Sequence, residues 1–242
     1  MLTEIIERTV HDARTPIIPA VGSWIQAKSF RHIVSVNPEN IVIASRDPSF
    51  AKIFIDRDSY CIADGVGTVL AARVLRMAPI VRQSGVDVMT SILESLNGKQ
   101  KVVLVGGSPG SAQRVAEYSH VKYGDTLAFG VLGDVDKNDP QLIERVVLEK
   151  PDVLFVAFGS PFQEKWIDTH RDALSGVVCM GVGGAFDFIA GKVPRAPVWM
   201  QRIGCEWLFR LVCEPWRIAR QTRLIVFVIL LFMSRWHSQK SS

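Results

Sequence analysis

The apolar positions of this chain fall into short runs that are rich in β-branched residues and bounded by glycine, proline or aspartate. The runs occupy residues 33–37, 60–64, 101–105, 126–132, 152–158 and 176–182. Short continuous runs of this kind are typical of strands that are buried on both faces of a parallel sheet. The pattern therefore predicts a buried strand at each run.

Segments with helical periodicity lie between these runs. They cover approximately residues 47–56, 67–75, 87–96, 111–118, 140–150 and 163–174. Strands that alternate with helices favour right-handed βαβ crossovers. We therefore expect an α/β fold with a Rossmann-like, open and mostly parallel sheet that carries helices on both faces. No strand can be assigned before residue 33.

The pattern changes after Gly191, where Pro194-Arg195-Ala196-Pro197 leads into two helical stretches that Pro215 separates. Proline is suited to the first turn of a helix, so a new helix is expected to begin there. We predict a catalytic domain over residues 1–191 and a helical, membrane-associating appendage over residues 192–242. Its arginines recur at spacings of seven, three and three, which puts several on one helix face: Arg210, Arg217, Arg220 and Arg223.

Charge is distributed unevenly along the chain. The formal net charge is +4, but residues 192–242 contain nine Lys or Arg and two acids, which leaves a net charge of −3 on the first 191 residues. Four of the six tryptophans also lie in this basic segment. Basic side chains mixed with indole rings suit the anionic headgroup region of a membrane. The alternative is a solvated basic helix whose aromatic residues pack on the main domain.

The longest apolar run, residues 224–233, has ten residues, about half of the ~20 that a spanning helix needs. We expect it to lie on a membrane, because a tilted span would have to bury Arg220 and Arg223. The first residues alternate charged and aliphatic types and do not form the apolar core of a signal peptide, which indicates a cytoplasmic location. The four cysteines lack metal-ligand spacing and are predicted to be reduced thiols.

Candidate chemistry lies where two predicted strands end. Asp64 follows one strand and precedes Gly65-Val66-Gly67, so its carboxylate is expected at the carboxyl edge of the sheet, where a general base would act. The alternative is an aspartate that caps the following helix. Ser35 and Asn37 end the preceding strand, where they would hydrogen-bond a sugar or close a turn before Pro38.

Glycine-rich turns follow three further strands. Gly106 and Gly107 begin a strand-to-helix turn whose backbone N–H groups could hold a phosphate or a ribose, as could Gly184 with Asp187 nearby. The first turn lacks the full dinucleotide fingerprint and a Walker lysine. The Gly159-Ser160-Pro161 turn places the amide of Gln163 at the same edge.

The histidines have no partners at metal-ligand spacing, and we expect no Asp-x-Asp pair to hold a divalent ion with a nucleotide diphosphate. No metal and no cofactor are therefore predicted. Arginine would then neutralise phosphate charge, and Arg195 and the tail arginines could supply it. Nucleic acid is not the expected partner, because a long aliphatic run beside the arginines makes a poor nucleic-acid surface.

With these motifs in place, residues 33–220 resemble the WecG/TagA/CpsF glycosyltransferases, glycosyltransferase family 26. The resemblance rests on ordered blocks: Ser35-Val36-Asn37-Pro38-Glu39, Ala63-Asp64-Gly65-Val66-Gly67, Arg82 with Gly85 and Asp87, Gly106-Gly107-Ser108-Pro109-Gly110, residues 159–166, Gly183-Gly184-Ala185-Phe186-Asp187, Arg195-Ala196-Pro197 and Glu206-Trp207-Leu208-Phe209-Arg210.

The resemblance implies inverting transfer of a sugar, often N-acetylmannosamine or its uronic acid. The donor would be a UDP-sugar and the acceptor a polyprenyl-diphosphate-linked saccharide at the cytoplasmic membrane face. It assigns Asp64 as the base, Ser35, Asn37 and Gln163 as polar pocket residues, and Arg82 as a pocket arginine. It places three arginines in an appendage that completes the site and touches the membrane: Arg210, Arg217 and Arg220.

Two positions depart from the family pattern. Ser35 stands where threonine is usual, and Val81 stands where an acid commonly precedes the arginine. Two other function classes compete with the transferase interpretation: a membrane-surface protein that binds a nucleotide-sugar without catalysis, and a dinucleotide-dependent oxidoreductase, which the incomplete glycine fingerprint disfavours. A homo-oligomer is compatible with the sequence.

Overall fold

A computed structural model describes residues 1–124, 127–215 and 218–240. Its strands form a single sheet in which every pair of neighbours is parallel, in the order β2-β1-β6-β5-β3-β4. The predicted open parallel sheet is thereby confirmed. The strands in chain order are β1 (Arg31–Val36), β2 (Ser59–Ala63), β3 (Lys101–Gly106), β4 (Ala128–Leu132), β5 (Val153–Ala157) and β6 (Val178–Gly181).

Two short helices that the sequence pattern does not predict follow β1 and β6, and the other helices between strands lie at the predicted places. The helices are numbered in chain order. They are α1 (Leu2–Asp12), α2 (Ile17–Gln26), α3 (Pro38–Ala44), α4 (Pro48–Ile55), α5 (Val66–Val74), α6 (Gly85–Ser95), α7 (Ser111–Tyr123), α8 (Leu142–Leu148), α9 (Phe162–Thr169), α10 (Ala185–Ile189), α11 (Val198–Arg202), α12 (Glu206–Cys213) and α13 (Ile218–Lys240). The helix predicted for residues 163–174 is shorter than expected, because the backbone leaves helical geometry at His170.

The segment before residue 33, to which no strand could be assigned, forms α1 and α2. Leu2, Ile5, Ile6 and Val10 are buried along α1, at the spacing of one helical face. This face packs on β2, α4 and α5, so the amino-terminal segment covers one end of the sheet.

Alternate residues of each strand enter different apolar clusters. Ile33 of β1 packs in the cluster that contains residues of α2, α6, α7 and α10, whereas Val34 faces residues of α1, α3, α4 and α5. On β5, Phe155 joins the first cluster and Val156 packs with residues of α8 and α9. Both faces are buried, which is why the strands appear in the sequence as continuous apolar runs.

The carboxyl-terminal helix α13 has two apolar sides. Phe227 and Leu231 are only 3% and 6% exposed and belong to the same cluster as Ile41 of α3. Phe232 and Trp236, on the other side, are each 61% exposed. The helix is thus docked on the sheet domain and still presents an apolar side to solvent. Within the residues described, no helix combines the length and apolar character that crossing a membrane requires.

The chain connections diverge at the adjacent strands β1 and β6. The helix that follows β1, α3, packs on one face of the sheet, and the helix that follows β6, α10, packs on the other. Where neighbouring connections diverge in this way, the carboxyl ends of the strands are the usual ligand-binding edge of an open α/β sheet.

Candidate active site

Asp64 lies immediately after β2, where its backbone N–H donates to the carbonyl oxygen of Val36 at 2.9 Å. The backbone N–H of Gly85 approaches Oδ1 of Asp64 at 3.4 Å. The N-cap of α5 is Gly65, at φ 97°, and no side chain caps this helix. The capping alternative for Asp64 is therefore not what the structure shows, and the carboxylate is available at the edge of the sheet.

The surroundings of Asp64 make its carboxylate unusually basic. Burial raises the pKa of Asp64 to about 6, from 3.8. The N–H of Gly85, the charge of Arg82 and a hydrogen bond from Asn37 each oppose this rise, while the charge of Glu206 adds to it. A carboxylate with such a pKa is ionised at neutral pH and accepts a proton more readily than an ordinary aspartate.

Ser35 and Asn37 lie beside Asp64. Asn37 is the N-cap of α3, because its Oδ1 accepts from the backbone N–H of Asn40 at 2.9 Å. Its side chain also hydrogen-bonds Asp64, so the turn-closing role and the pocket position coincide. A Cβ atom at Gly85 would lie 3.4 Å from the hydroxyl of Ser35 and 3.9 Å from Oδ2 of Asp64. The glycine thus leaves the space between these two polar groups open.

Two arginines from distant parts of the chain share one carboxylate. Arg82 precedes α6 and Arg195 lies before α11, and each contacts Glu206 at 3.3 Å, one on each carboxylate oxygen. Arg195 also donates to Asp87 at 2.5 Å. The carboxylate of Glu206 therefore links the start of α12 to the Asp64 region.

Gly204 allows the appendage to approach this region closely. Its φ is +75°, and a Cβ atom there would lie 2.6 Å from Cβ of Val66, at the start of α5. Only glycine fits such a contact without a shift of the backbone. The turn before α12 is consequently pressed against the helix that follows Asp64.

The glycine-rich turns that follow β3 and β6 meet each other. Gly106 and Gly107 have φ values of +77° and +93°, and a Cβ atom on either would collide with an aromatic ring, Phe158 or Phe186. Ser108 donates to Asp187 at 2.5 Å, and Lys192 donates to the Ser108 hydroxyl at 2.9 Å. The hydrogen bond between Ser108 and Asp187 therefore joins the two turns. Gly184 is the N-cap of α10 beside them.

Gln163, in the first turn of α9, is buried among backbone groups of this edge. Its Oε1 accepts from the N–H groups of Gly159 and Gly183, and its Nε2 donates to Glu164. The predicted amide is thus at the predicted edge, but most of its hydrogen-bonding capacity is used by the protein.

The predicted single helix face of tail arginines is wrong for Arg210, which lies on α12, whereas Arg220 and Arg223 lie on α13. Arg217 lies outside the described residues, and the side chains of Arg210 and Arg220 are likewise outside the described part of the chain. Arg223 is described, and it forms an ion pair with Glu39 of α3. That contact fastens α13 to the sheet domain at the end nearer the candidate site.

The sequence contains two Asp-x-Asp pairs, Asp56-Arg57-Asp58 and Asp134-Val135-Asp136, so the absence of such a pair is a wrong ground for expecting metal independence. Asp56 and Asp58 precede β2, at the opposite edge of the sheet, and are bound by Arg171. Among the residues described, no three His, Cys, Asp or Glu side chains are grouped to hold a metal. Metal independence stays a prediction.

Three residues to which the sequence assigned no role of their own take part in these networks: Glu164, Lys192 and Glu206. Glu164 lies next to Gln163 in the first turn of a helix. An acid is common at such a position, so its presence there did not indicate a role. Glu206 belongs to a block that carries the family resemblance, but its ion pair with Arg82 could not be predicted because the two residues are 124 positions apart.

The family model described as "Glycosyl transferase WecG/TagA/CpsF family" matches residues 4–241. The chain belongs to this glycosyltransferase family. The match extends beyond the residues 33–220 that carried the sequence resemblance, so the amino-terminal helices of this family member are also part of the family pattern.

Relatives in Staphylococcus aureus are similar over most of their length. A protein of strain NCTC 8325 / PS 47 is 31% identical over 197 residues, which is 81% of this chain and 77% of the relative. A protein of strain MRSA252 is similar to the same extent. Both are named N-acetylglucosaminyldiphosphoundecaprenol N-acetyl-beta-D-mannosaminyltransferase.

Proposed function

We propose that this member of the WecG/TagA/CpsF family transfers an N-acetylmannosamine-type sugar, or a related hexose or uronic acid, from a UDP-sugar. The acceptor is a polyprenyl-diphosphate-linked saccharide in cell-surface polysaccharide synthesis. The names of the S. aureus relatives support this acceptor and this sugar. The observation that carries the proposal is Asp64, a basic carboxylate beside Ser35 and Asn37 at the ligand-binding edge.

The proposed reaction is a single displacement. Asp64 removes the proton from an acceptor-sugar hydroxyl. The oxygen of that hydroxyl attacks the anomeric carbon of the donor at the same time. The bond from that carbon to the UDP oxygen breaks, and UDP leaves with the bonding electron pair. Asp64 then returns its proton to solvent. One base and no covalent intermediate lead to inversion at the anomeric carbon.

Arginine carries the charge of the leaving diphosphate in this mechanism, with neither a metal nor another cofactor. Arg82 and Arg195 are the described candidates, because both lie in the network that contains Glu206 and reaches Asp64. Guanidinium groups suit phosphate oxygens, and preorganised cations stabilise charge that develops in a transition state. Arg210, Arg217 and Arg220 remain proposed contributors from the appendage.

The lipid-linked acceptor requires access to a membrane surface. The exposed side of α13, with Ile225, Phe232 and Trp236, and the exposed Trp199 of α11 support peripheral attachment. Together with the basic character of residues 192–242, they fit the cytoplasmic leaflet of the cell membrane.

A panel of radiolabelled UDP-sugars incubated with polyprenyl-diphosphate-linked N-acetylglucosamine tests the proposal. We expect transfer from UDP-N-acetylmannosamine or a close analogue, with inverted configuration in the product. Absence of transfer from every UDP-sugar contradicts the proposal, and retained configuration contradicts the single displacement. A binding protein without catalysis, the alternative class, would bind UDP-sugar in the same assay and release no UDP.

A further inference from the structure

Gln163 joins two loops of the ligand-binding edge through one buried atom. Its side chain is 4% exposed, and its Oε1 accepts from Gly159 N–H at 3.1 Å and from Gly183 N–H at 2.9 Å. Gly159 follows β5 and Gly183 follows β6. Because both donors are backbone N–H groups, they determine which end of the amide is the oxygen and use both of its lone pairs.

Glu164 holds the other end of this amide. Nε2 of Gln163 donates to Oε1 of Glu164 at 2.8 Å, and Glu164 is only 1% exposed. Three of the four hydrogen-bonding positions of the amide are therefore used inside the protein. Gly181, at the end of β6, makes room for it, since a Cβ atom there would lie 2.6 Å from Nε2.

A carboxylate is costly to bury unless it is hydrogen-bonded. Burial raises the pKa of Glu164, while the hydrogen bond from Gln163 is the largest effect that lowers it. The first turn of α9 adds a favourable helix dipole. No ion pair of Glu164 occurs among the described residues, so its main described contact is the amide of Gln163.

We infer that Glu164 is a positioning residue that fixes the Gln163 amide as a brace between the loops after β5 and β6. Gln163 then acts on the reaction through the backbone of those loops and does not need to hold a sugar itself. The effect on catalysis rests on the proposed function. The brace, which is the hydrogen-bonded link that Gln163 makes between the two loops, does not.

Exchange of the two side chains tests the inference. In Gln163→Glu, two carboxylates adjoin in a buried site and the donor to Glu164 is lost, so we expect kcat to fall by roughly 10–100-fold with a smaller change in KM. In the double variant Gln163→Glu/Glu164→Gln, one carboxylate and one amide are restored with the hydrogen bond reversed. The new carboxylate can still accept from Gly159 and Gly183. We expect kcat to return to within about fivefold of the wild-type value.

A matched control exists on the surface of α7, where Gln113 donates to Glu117 at 3.3 Å in an exposed pair. The same exchange there, Gln113→Glu/Glu117→Gln, should leave kcat and KM unchanged. If the exchanged 163/164 variant is folded and no faster than Gln163→Glu alone, the amide itself contacts substrate and the inference is wrong.

Hydrogen exchange gives a readout that does not depend on transfer. The amides of Gly159 and Gly183 should exchange at least about tenfold faster in Gln163→Ala and regain protection in the 163/164 exchange. Unchanged protection in Gln163→Ala would overturn the brace whatever the activity. If protection follows the expected pattern but the wild-type protein transfers no sugar, the brace stands and the proposed function fails.

Discussion

At the scale of the residue, Asp64 combines a ligand-edge position with a raised pKa. We expect Asp64→Asn to fold and to lose about 10²–10⁴-fold in turnover, since general-base assistance is typically of that size. Steady-state transfer assays measure the loss, with Asp172→Asn, an exposed aspartate at the opposite edge of the sheet, as the control. Turnover within about threefold of the wild-type value would remove Asp64 from the role of base.

The raised pKa of Asp64 predicts how transfer depends on pH. Because the base must be ionised, kcat/KM should be constant at neutral pH and fall as the pH drops through about 6. A profile of kcat/KM between pH 4.5 and 8 checks this expectation, with about one pH unit of tolerance for the midpoint. A midpoint near 4 would mean that Asp64 is not the group that titrates.

The ionised carboxylate of Asp64 should also lower the stability of the fold at neutral pH. Folding raises its pKa from 3.8 to about 6, so the folded chain binds its proton more tightly than the unfolded chain. This contribution favours folding below pH 3.8 and is lost as the pH rises to about 6. Asp64→Asn should therefore increase the free energy of unfolding by ~1–3 kcal/mol at pH 7.5, as urea denaturation would show. A decrease would indicate that the carboxylate stabilises the fold.

At the scale of the element, α12 is connected to the site by Glu206. In Glu206→Gln the two guanidinium groups lose a shared negative charge, so both Arg82 and Arg195 should become less well positioned. We expect transfer to fall roughly 10-fold or more, and the pKa seen in kcat/KM to decrease, because Glu206 helps to raise that of Asp64.

The control for this element is Glu94→Gln, which removes an exposed ion pair between Glu94 of α6 and Lys122 of α7. It should change neither the rate of transfer nor the pKa seen in kcat/KM. A double-mutant cycle with Arg195→Ala separates the contact from other effects. Additive losses in transfer would show that Glu206 does not act through Arg195.

At the scale of the whole molecule, α13 has one side in the core and the other in solvent. Phe227→Ala should therefore reduce the free energy of unfolding by ~3–5 kcal/mol, since a fully packed phenylalanine is lost.

Replacement of Ile225, Phe232 and Trp236 together by serine should leave the free energy of unfolding within about 1 kcal/mol of the wild-type value and weaken binding to anionic liposomes. Sedimentation with liposomes measures the second effect. Equal binding by the triple variant would place the membrane contact elsewhere.

Much of this molecule could be predicted from local sequence. The strands β1 to β6 and most helices follow from apolar periodicity and from the glycine, proline and aspartate residues that end each run, because these signals lie within a few residues of one another. The edge that carries Ser35, Asn37, Asp64 and Gln163 follows too, since the carboxyl ends of parallel strands meet at one side of a sheet.

Tertiary structure alone decided which of these groups face one another. Arg82 meets Glu206 across 124 residues and Ser108 meets Asp187 across 79, and no local pattern encodes such pairs. Burial, which raises the pKa of Asp64 and sets Gln163 against two backbone N–H groups, likewise depends on neighbours from several elements. The sequence by itself determined the strands, the helices and the chemistry placed at their ends. Packing determined the partners of each charge, because electrostatic and hydrogen-bond energies depend on distance in space and on removal from water.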